Sequence, residues 1–127
     1  MGEPKPVLLV LDDDAAIRHT WTIIFRQQGY DVIPAENGEA AILAARECSP
    51  DILLADIHLP DMTGIEAARR IVAIVPGCYV LLISGDGESS EVIEEARARG
   101  VSFEVLPKPI SPSELIALLA ERLKKAS

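Results

Sequence analysis

Five short apolar runs, each closing on polar residues and separated by longer stretches of helical periodicity, leave this chain few ways to fold. Val7-Leu8-Leu9-Val10-Leu11 is apolar throughout and stops at Asp12, Asp13 and Asp14. Such a run predicts a strand covered on both faces, as in a parallel sheet. Asp31 to Ala35, Ile52 to Ala55 and Tyr79 to Ile83 read as three more strands, and Val101 to Leu106 as a fifth. Polar Ser102 and Glu104 inside the fifth suit an edge position.

Between the strands the apolar spacing becomes helical. Ile17, Trp21, Ile24, Phe25 and Gln28 share a face that Gly29 closes, with Trp21 and Phe25 expected in the core. Asn37 predicts the cap of a second helix on which Ala41, Ile42, Ala45 and Cys48 lie together. A loop holding Pro60 and Gly64 leads to a third helix through Ile71 and Ile74, stopped near Pro76-Gly77. Another helix surrounds Val92, Ile93 and Ala96 and ends at Gly100. Ser111-Pro112-Ser113-Glu114 is a capping box with proline at the first helical position, and Leu115, Leu118, Leu119 and Leu123 form the stripe that follows. Five β-α cycles within 127 residues predict a single α/β domain, a parallel sheet with right-handed crossovers and helices on both faces.

Composition excludes several classes. A net charge of −8 repels phosphate backbones, which disfavours direct binding of nucleic acid. No apolar run approaches the ~20 residues needed to span a bilayer. Met1-Gly2-Glu3-Pro4-Lys5-Pro6 has neither the apolar core of a secretion signal nor the Ser or Thr of a myristoylation pattern. Cys48 and Cys78 stand apart from any CxxC or His-rich spacing, so two buried or half-buried thiols in a reducing cytoplasm are expected.

In an open parallel sheet the functional crevice lies beyond the carboxyl ends of the strands. Asp12 and Asp13 follow the first strand, Asp56 the third, Ser84 the fourth and Lys108 the fifth. Each has a plainer reading alone. The three aspartates at 12 to 14 suit helix capping, which fits Asp14 in any case. Asp56 suits a turn, Ser84 the start of a loop, and Lys108 a solvated charge. Their convergence on one rim argues otherwise. Carboxylates held ~4 Å apart repel by about 4 kcal/mol per pair at an effective dielectric near 20, a cost that a hard divalent cation removes. Oxygen ligands suit Mg²⁺, and zinc is a poor candidate without clustered Cys or His. An acid cluster, a hydroxyl and an ammonium fit phosphoryl transfer to a carboxylate nucleophile. His58 reads as a solvated loop side chain rather than a side-chain ligand.

Together, Val7 to Asp14, Asp56-Ile57-His58-Leu59-Pro60-Asp61-Met62-Thr63-Gly64, Ile83-Ser84-Gly85 and Leu106-Pro107-Lys108-Pro109 resemble the receiver domain of two-component response regulators, over about residues 6 to 124. The resemblance implies a flavodoxin-like (βα)5 three-layer sandwich with strand order 2-1-3-4-5. It implies Asp56 as phosphoacceptor, with Mg²⁺ (or Mn²⁺ as a substitute) held by Asp12, Asp13, Asp56 and the backbone carbonyl of His58. Ser84 and Lys108 would contact the phosphoryl group, and the Lys108–Pro109 bond is usually cis in such domains. The implied donor is a phosphohistidine on a sensor histidine kinase or phosphotransfer protein, or a small acyl phosphate. Output would pass to an unknown downstream protein through the surface of the helix around residues 91 to 99, the fifth strand and the last helix. Glu91, Glu94, Glu95, Arg97 and Arg99 make much of that surface charged. A cytoplasmic switch is expected, with no membrane or direct nucleic-acid contact, as a monomer or a phosphorylation-dependent dimer. Since only Lys124-Lys125-Ala126-Ser127 follows the last apolar stripe, no attached output domain is expected within residues 1 to 127.

Two positions depart from the family pattern. Val105 stands where an aromatic is common three residues before the lysine, and Phe103 is the nearest aromatic. Gly85 stands where alanine is frequent. Activation is therefore expected to shift the loop after Ser84 without an aromatic swap at Val105. His58 and Asp86 occupy the variable positions flanking the path of attacking water, and are expected to set the lifetime of the acyl phosphate. Two alternatives remain: a phosphorylation-independent binding module on the same scaffold, and a haloacid-dehalogenase-type phosphatase. The second would want an acid where His58 stands.

Overall fold

The computed structural model describes residues 4–84, 94, 97–98, 103–108 and 110–126. Five strands form one sheet: β1 (Val7–Leu11), β2 (Asp31–Ala35), β3 (Ile52–Asp56), β4 (Tyr79–Ser84) and β5 (Glu104–Pro107). Their order is β2-β1-β3-β4-β5 and every pairing is parallel, the strand order implied by the resemblance. The described helices between and after them are α1 (Ala15–Gln27), α2 (Gly38–Cys48), α3 (Gly64–Ile74) and α4 (Pro112–Ala126).

Strand side chains alternate faces, so each strand feeds two cores. Leu8 and Val10 of β1, Ile52 and Leu54 of β3, and Leu81 and Ile83 of β4 pack with Phe25 of α1 and with Leu115 and Leu119 of α4. The intervening residues Leu9, Leu11, Leu53, Ala55, Val80 and Leu82 pack on the other face with Ala41 and Ala45 of α2 and Ala68 and Ile71 of α3. Trp21 is only half-buried, and covers the first core beside Phe25 with ring centroids 5.9 Å apart.

The helix ends follow local chemistry. Asp14 caps α1, its carboxylate accepting from the amides of Ala16 (2.9 Å) and Ile17 (3.1 Å). Gly29 takes φ +94° just past the end of α1, a conformation that a Cβ resists. Ser111 caps α4 through the amide of Glu114 at 3.2 Å.

Two expectations need correction. β5 begins at Glu104 and runs to Pro107, rather than covering residues 101 to 106. Phe103 precedes the strand, and Val101 and Ser102 lie outside the described residues. β5 is an edge strand, and an edge tolerates a proline that cannot donate to a ladder. Cys48 is exposed although Ala45 on the same helix is fully buried, because residues 46–49 form an exposed end to α2. Of the expected helix near Val92, Ile93 and Ala96, Glu94, Arg97 and Ala98 are described, and these are helical. Val92, Ile93, Ala96 and Gly100, with the charged Glu91, Glu95 and Arg99, lie outside the described residues.

The thiols give a direct check on this packing. Burial, with a smaller push from the charge of Asp51, raises the Cys78 thiol to about 12. At pH 8 a thiol-disulfide reagent should therefore label Cys48 rapidly and Cys78 only after denaturation. Two fast thiols in the native protein would contradict the placement of Cys78.

Candidate functional site

The sheet changes direction between β1 and β3: the chain leaves β1 toward β2 on one side, and β3 lies on the other. Asp12 follows β1 directly and Asp56 is the last residue of β3, so the two carboxylates meet where the order reverses. Asp12, Asp13 and Asp56 each offer an oxygen, and these oxygens lie within 4.8 Å of one another. Asp12 and Asp56 are buried while Asp13 faces solvent.

Several bonds set this geometry. The Asp12 amide donates to the carbonyl of Ala35 at 3.1 Å, extending the β1–β2 ladder by one step. Its carboxylate accepts from the Asp14 amide at 2.9 Å, and its carbonyl accepts from the Arg18 guanidinium at 2.8 Å. Past β3, the Ile57 amide donates to the Ile83 carbonyl at 3.1 Å and the His58 amide to Asp56 Oδ1 at 3.1 Å. Gly64 then brings α3 hard against this strand end, its amide 2.6 Å from the Ile57 carbonyl oxygen. Lys108 follows β5, and its ammonium meets Asp56 Oδ2 at 3.0 Å. The Lys108 amide donates to the Ser84 carbonyl at 2.8 Å, so the ends of β4 and β5 are locked in register.

Three carboxylates facing one lysine are electrostatically unbalanced. At ~5 Å and an effective dielectric near 20, each like-charged pair costs about 3 kcal/mol. The Asp12 carboxyl is held above its ordinary value, chiefly by burial and further by the charges of Asp56 and Asp13, against the opposing Asp14 amide and Lys108. Burial pulls the Lys108 ammonium down, but its hydrogen bond to Asp56 and the charges of Asp56, Asp12 and Asp13 outweigh burial and raise it. A cluster of hard carboxylate oxygens with residual negative charge fits a Mg²⁺-sized cation.

The residues expected at the rim are thus brought together: Asp12, Asp13, Asp56 and Lys108 in direct proximity, with Ser84 half-buried at the end of β4. The His58 side chain is exposed beside them. Val105 pairs with Leu82, and both Val105 and Phe103 are half-buried against the core under α2 and α3. Gly85, Asp86 and Pro109 lie outside the described residues, and with them the geometry of the Lys108–Pro109 bond. Sequence reasoning did not find Arg18 on the Asp12 carbonyl. An arginine one turn after a capping aspartate was the available signal. Nor did it find the close approach of Gly64.

Residues 8–120 match the family described as response regulator receiver domain. The chain is 35% identical over 113 residues to chemotaxis protein CheY of Thermotoga maritima, covering 88% of this chain and 92% of that protein. It is 30% identical over 125 residues to the DNA-binding response regulator MtrA of Mycobacterium tuberculosis, covering 98% of this chain and 54% of MtrA. The chain therefore spans about half the length of several curated relatives that it matches. Among solved structures, a CheY-like response regulator receiver domain protein from Methanospirillum hungatei superposes with a TM-score of 0.83 at 27% identity, covering 97% of both chains.

Proposed function

The chain belongs to the response regulator receiver domain family of two-component signalling, and from that premise we propose that Asp56 accepts a phosphoryl group and thereby switches a protein-binding surface. The donor is a phosphohistidine of a sensor histidine kinase or phosphotransfer protein, or a small acyl phosphate. The observation that carries this reading is the meeting of three carboxylate oxygens within 4.8 Å, one of them on a residue bonded to Lys108 at 3.0 Å.

Asp12, Asp13, Asp56 and the His58 carbonyl would hold Mg²⁺, with Mn²⁺ as a substitute. The ion supplies charge neutralisation for the acids and for the incoming phosphoryl group. The chain's own residues do the positioning. Asp56 attacks through a carboxylate oxygen, so no proton transfer accompanies bond formation. One of its oxygens forms the new bond to phosphorus while the phosphorus–nitrogen bond of the donor breaks, and the electron pair returns to the imidazole nitrogen. Lys108, which holds Asp56 Oδ2 beforehand, then pairs with a phosphoryl oxygen, and Ser84 donates its hydroxyl to another. Because the Lys108 amide is bonded to the Ser84 carbonyl, displacement of either residue is felt at the carboxyl end of β4.

The reaction is confined to the domain's own phosphorylation and dephosphorylation. MtrA is by its name DNA-binding; a net charge of −8 argues against DNA contact by this domain itself, so output passes to a protein surface. Among the described residues no helix is long and apolar enough to cross a membrane. The cytoplasm, where a kinase and a reduced thiol pair would coexist, is the proposed location.

Incubation with Mg²⁺ and acetyl phosphate tests the reading. Stoichiometric, acid-stable and base-labile label that disappears in Asp56→Asn is the expected result. Rapid turnover of diverse phosphate esters would point to a hydrolase instead, and a wild-type chain that takes no label would point to a phosphorylation-independent binding module.

A further inference from the structure

The loop after Asp56 is fastened to a distant helix by a bond that the acid cluster does not require. Asp61 sends one carboxylate oxygen to the amide of Gly38 and the other to the amide of Glu39, both at 2.9 Å, across 23 and 22 residues of chain. α2 already has its own cap: Asn37 accepts from the Ala40 amide at 2.8 Å, and the helical ladder begins with Ala41 donating to the Asn37 carbonyl at 3.1 Å. The first three amides of α2 are thus divided between a local cap and a carboxylate from another loop.

We propose that Asp61 is a positioning residue for Asp56: it bolts the loop of residues 57–63 to the amino end of α2, and so holds the His58 backbone against the phosphoacceptor. The proposal rests on the reading of Asp56 given above.

A carboxylate that engages two successive amides is fixed in orientation as well as place. Those amides, Gly38 first, hold the Asp61 carboxyl below its ordinary value, so the bond persists at neutral pH. Met62 completes the joint by lying over Gly38; a Cβ at Gly38 would come within 2.5 Å of the Met62 sulfur. The loop's ends are pinned separately, by Ile57 donating to the Ile83 carbonyl and Gly64 donating to the Ile57 carbonyl. Asp61 holds its apex. Between these points lies His58, whose amide meets Asp56 Oδ1 at 3.1 Å and whose carbonyl is the proposed backbone ligand.

Three variants separate positioning from plain helix capping: Asp61→Ala, Asp61→Asn and Asn37→Ala. The two alanine changes each remove a cap from the same end of α2, but only one of those caps comes from the loop that carries His58. Mg²⁺ affinity is read by calorimetry, and hydrogen exchange of the His58 amide by NMR on the metal-free protein. Asp61→Ala should weaken Mg²⁺ binding about tenfold, as loss of a group that orients a metal ligand does. It should also speed exchange at His58. Asp61→Asn, which keeps one acceptor oxygen, should fall between wild type and alanine. Asn37→Ala should lower the melting temperature while leaving both readouts as in wild type. Equal effects of Asn37→Ala and Asp61→Ala on those readouts would overturn the proposal in favour of helix stability, and wild-type behaviour of Asp61→Ala would overturn it outright. If the wild-type chain takes up no Mg²⁺, the reading of the acid cluster fails, and His58 exchange still decides the role of Asp61.

Discussion

Replacing Gly64 with alanine is expected to cost roughly 3 kcal/mol, a fall of about 10 °C in melting temperature for a domain of this size. A Cβ there would lie 2.2 Å from the carbonyl oxygen of Asp56, 2.9 Å from its carbonyl carbon and 2.9 Å from the Ile57 Cα. All three are backbone atoms of the strand end that presents the acid, so relief requires moving β3 or α3. The same change at Gly38 is a built-in control, because its nearest neighbours are the side-chain atoms of Met62, which can rotate away. Urea unfolding of both variants should show a much larger loss for Gly64→Ala. Equal losses would mean that the approach of α3 to Asp56 is not tight. Acyl phosphate labelling should also fall in Gly64→Ala, since any relaxation displaces Asp56 itself.

The acid cluster should trade stability for chemistry. Asp12→Asn is expected to stabilise the metal-free protein by roughly 1–2 kcal/mol at pH 7, about 4–8 °C in melting temperature. The sign follows from linkage. The folded-state carboxyl of Asp12 is raised above its ordinary 3.8, so the fold disfavours the ionised form. Below 3.8 the carboxyl is protonated in both states and no penalty exists; the penalty grows as pH rises from there through the folded value and is constant above it. The gain should therefore vanish near pH 3. Asparagine also keeps the oxygen that accepts from the Asp14 amide, so no capping bond is lost. Saturating Mg²⁺ should reverse the order. A ligand at a hundred times its dissociation constant adds about 2.7 kcal/mol, and wild type should collect more of this than the variant. Thermal melts at pH 7 and pH 3, with and without Mg²⁺, check all four limits; a variant less stable than wild type in metal-free buffer at pH 7 would contradict the penalty that burial, and secondarily the neighbouring acids, place on Asp12.

Much of this is legible in the sequence. The uninterrupted apolar runs of β1 and β3, the helical spacing of Ile17 to Phe25 and the caps at Asp14, Asn37 and Ser111 depend on residues close together in the chain. Asp12, Asp13, Asp56, Ser84 and Lys108 were recognisable as a group because a parallel sheet sends every strand end to the same rim. The strand order came from resemblance to a family, since periodicity alone does not rank neighbours. The bounds of the edge strand are not legible in the sequence: polar Glu104 and Pro107 are compatible with strand and loop alike, and pairing with Leu81 and Ser84 sets them.

Local periodicity and capping chemistry, written within single turns and strands, thus determined the five-strand α/β plan and the identity of the rim acids. Only the tertiary structure decided that the carboxylates of residues 12 and 56 share one burial site, that Lys108 closes on Asp56 across 52 residues, and that Asp61 reaches back to α2. Those contacts join segments far apart in the chain. Their partners are set by how the helices and strands pack, so no short stretch of residues carries their signature.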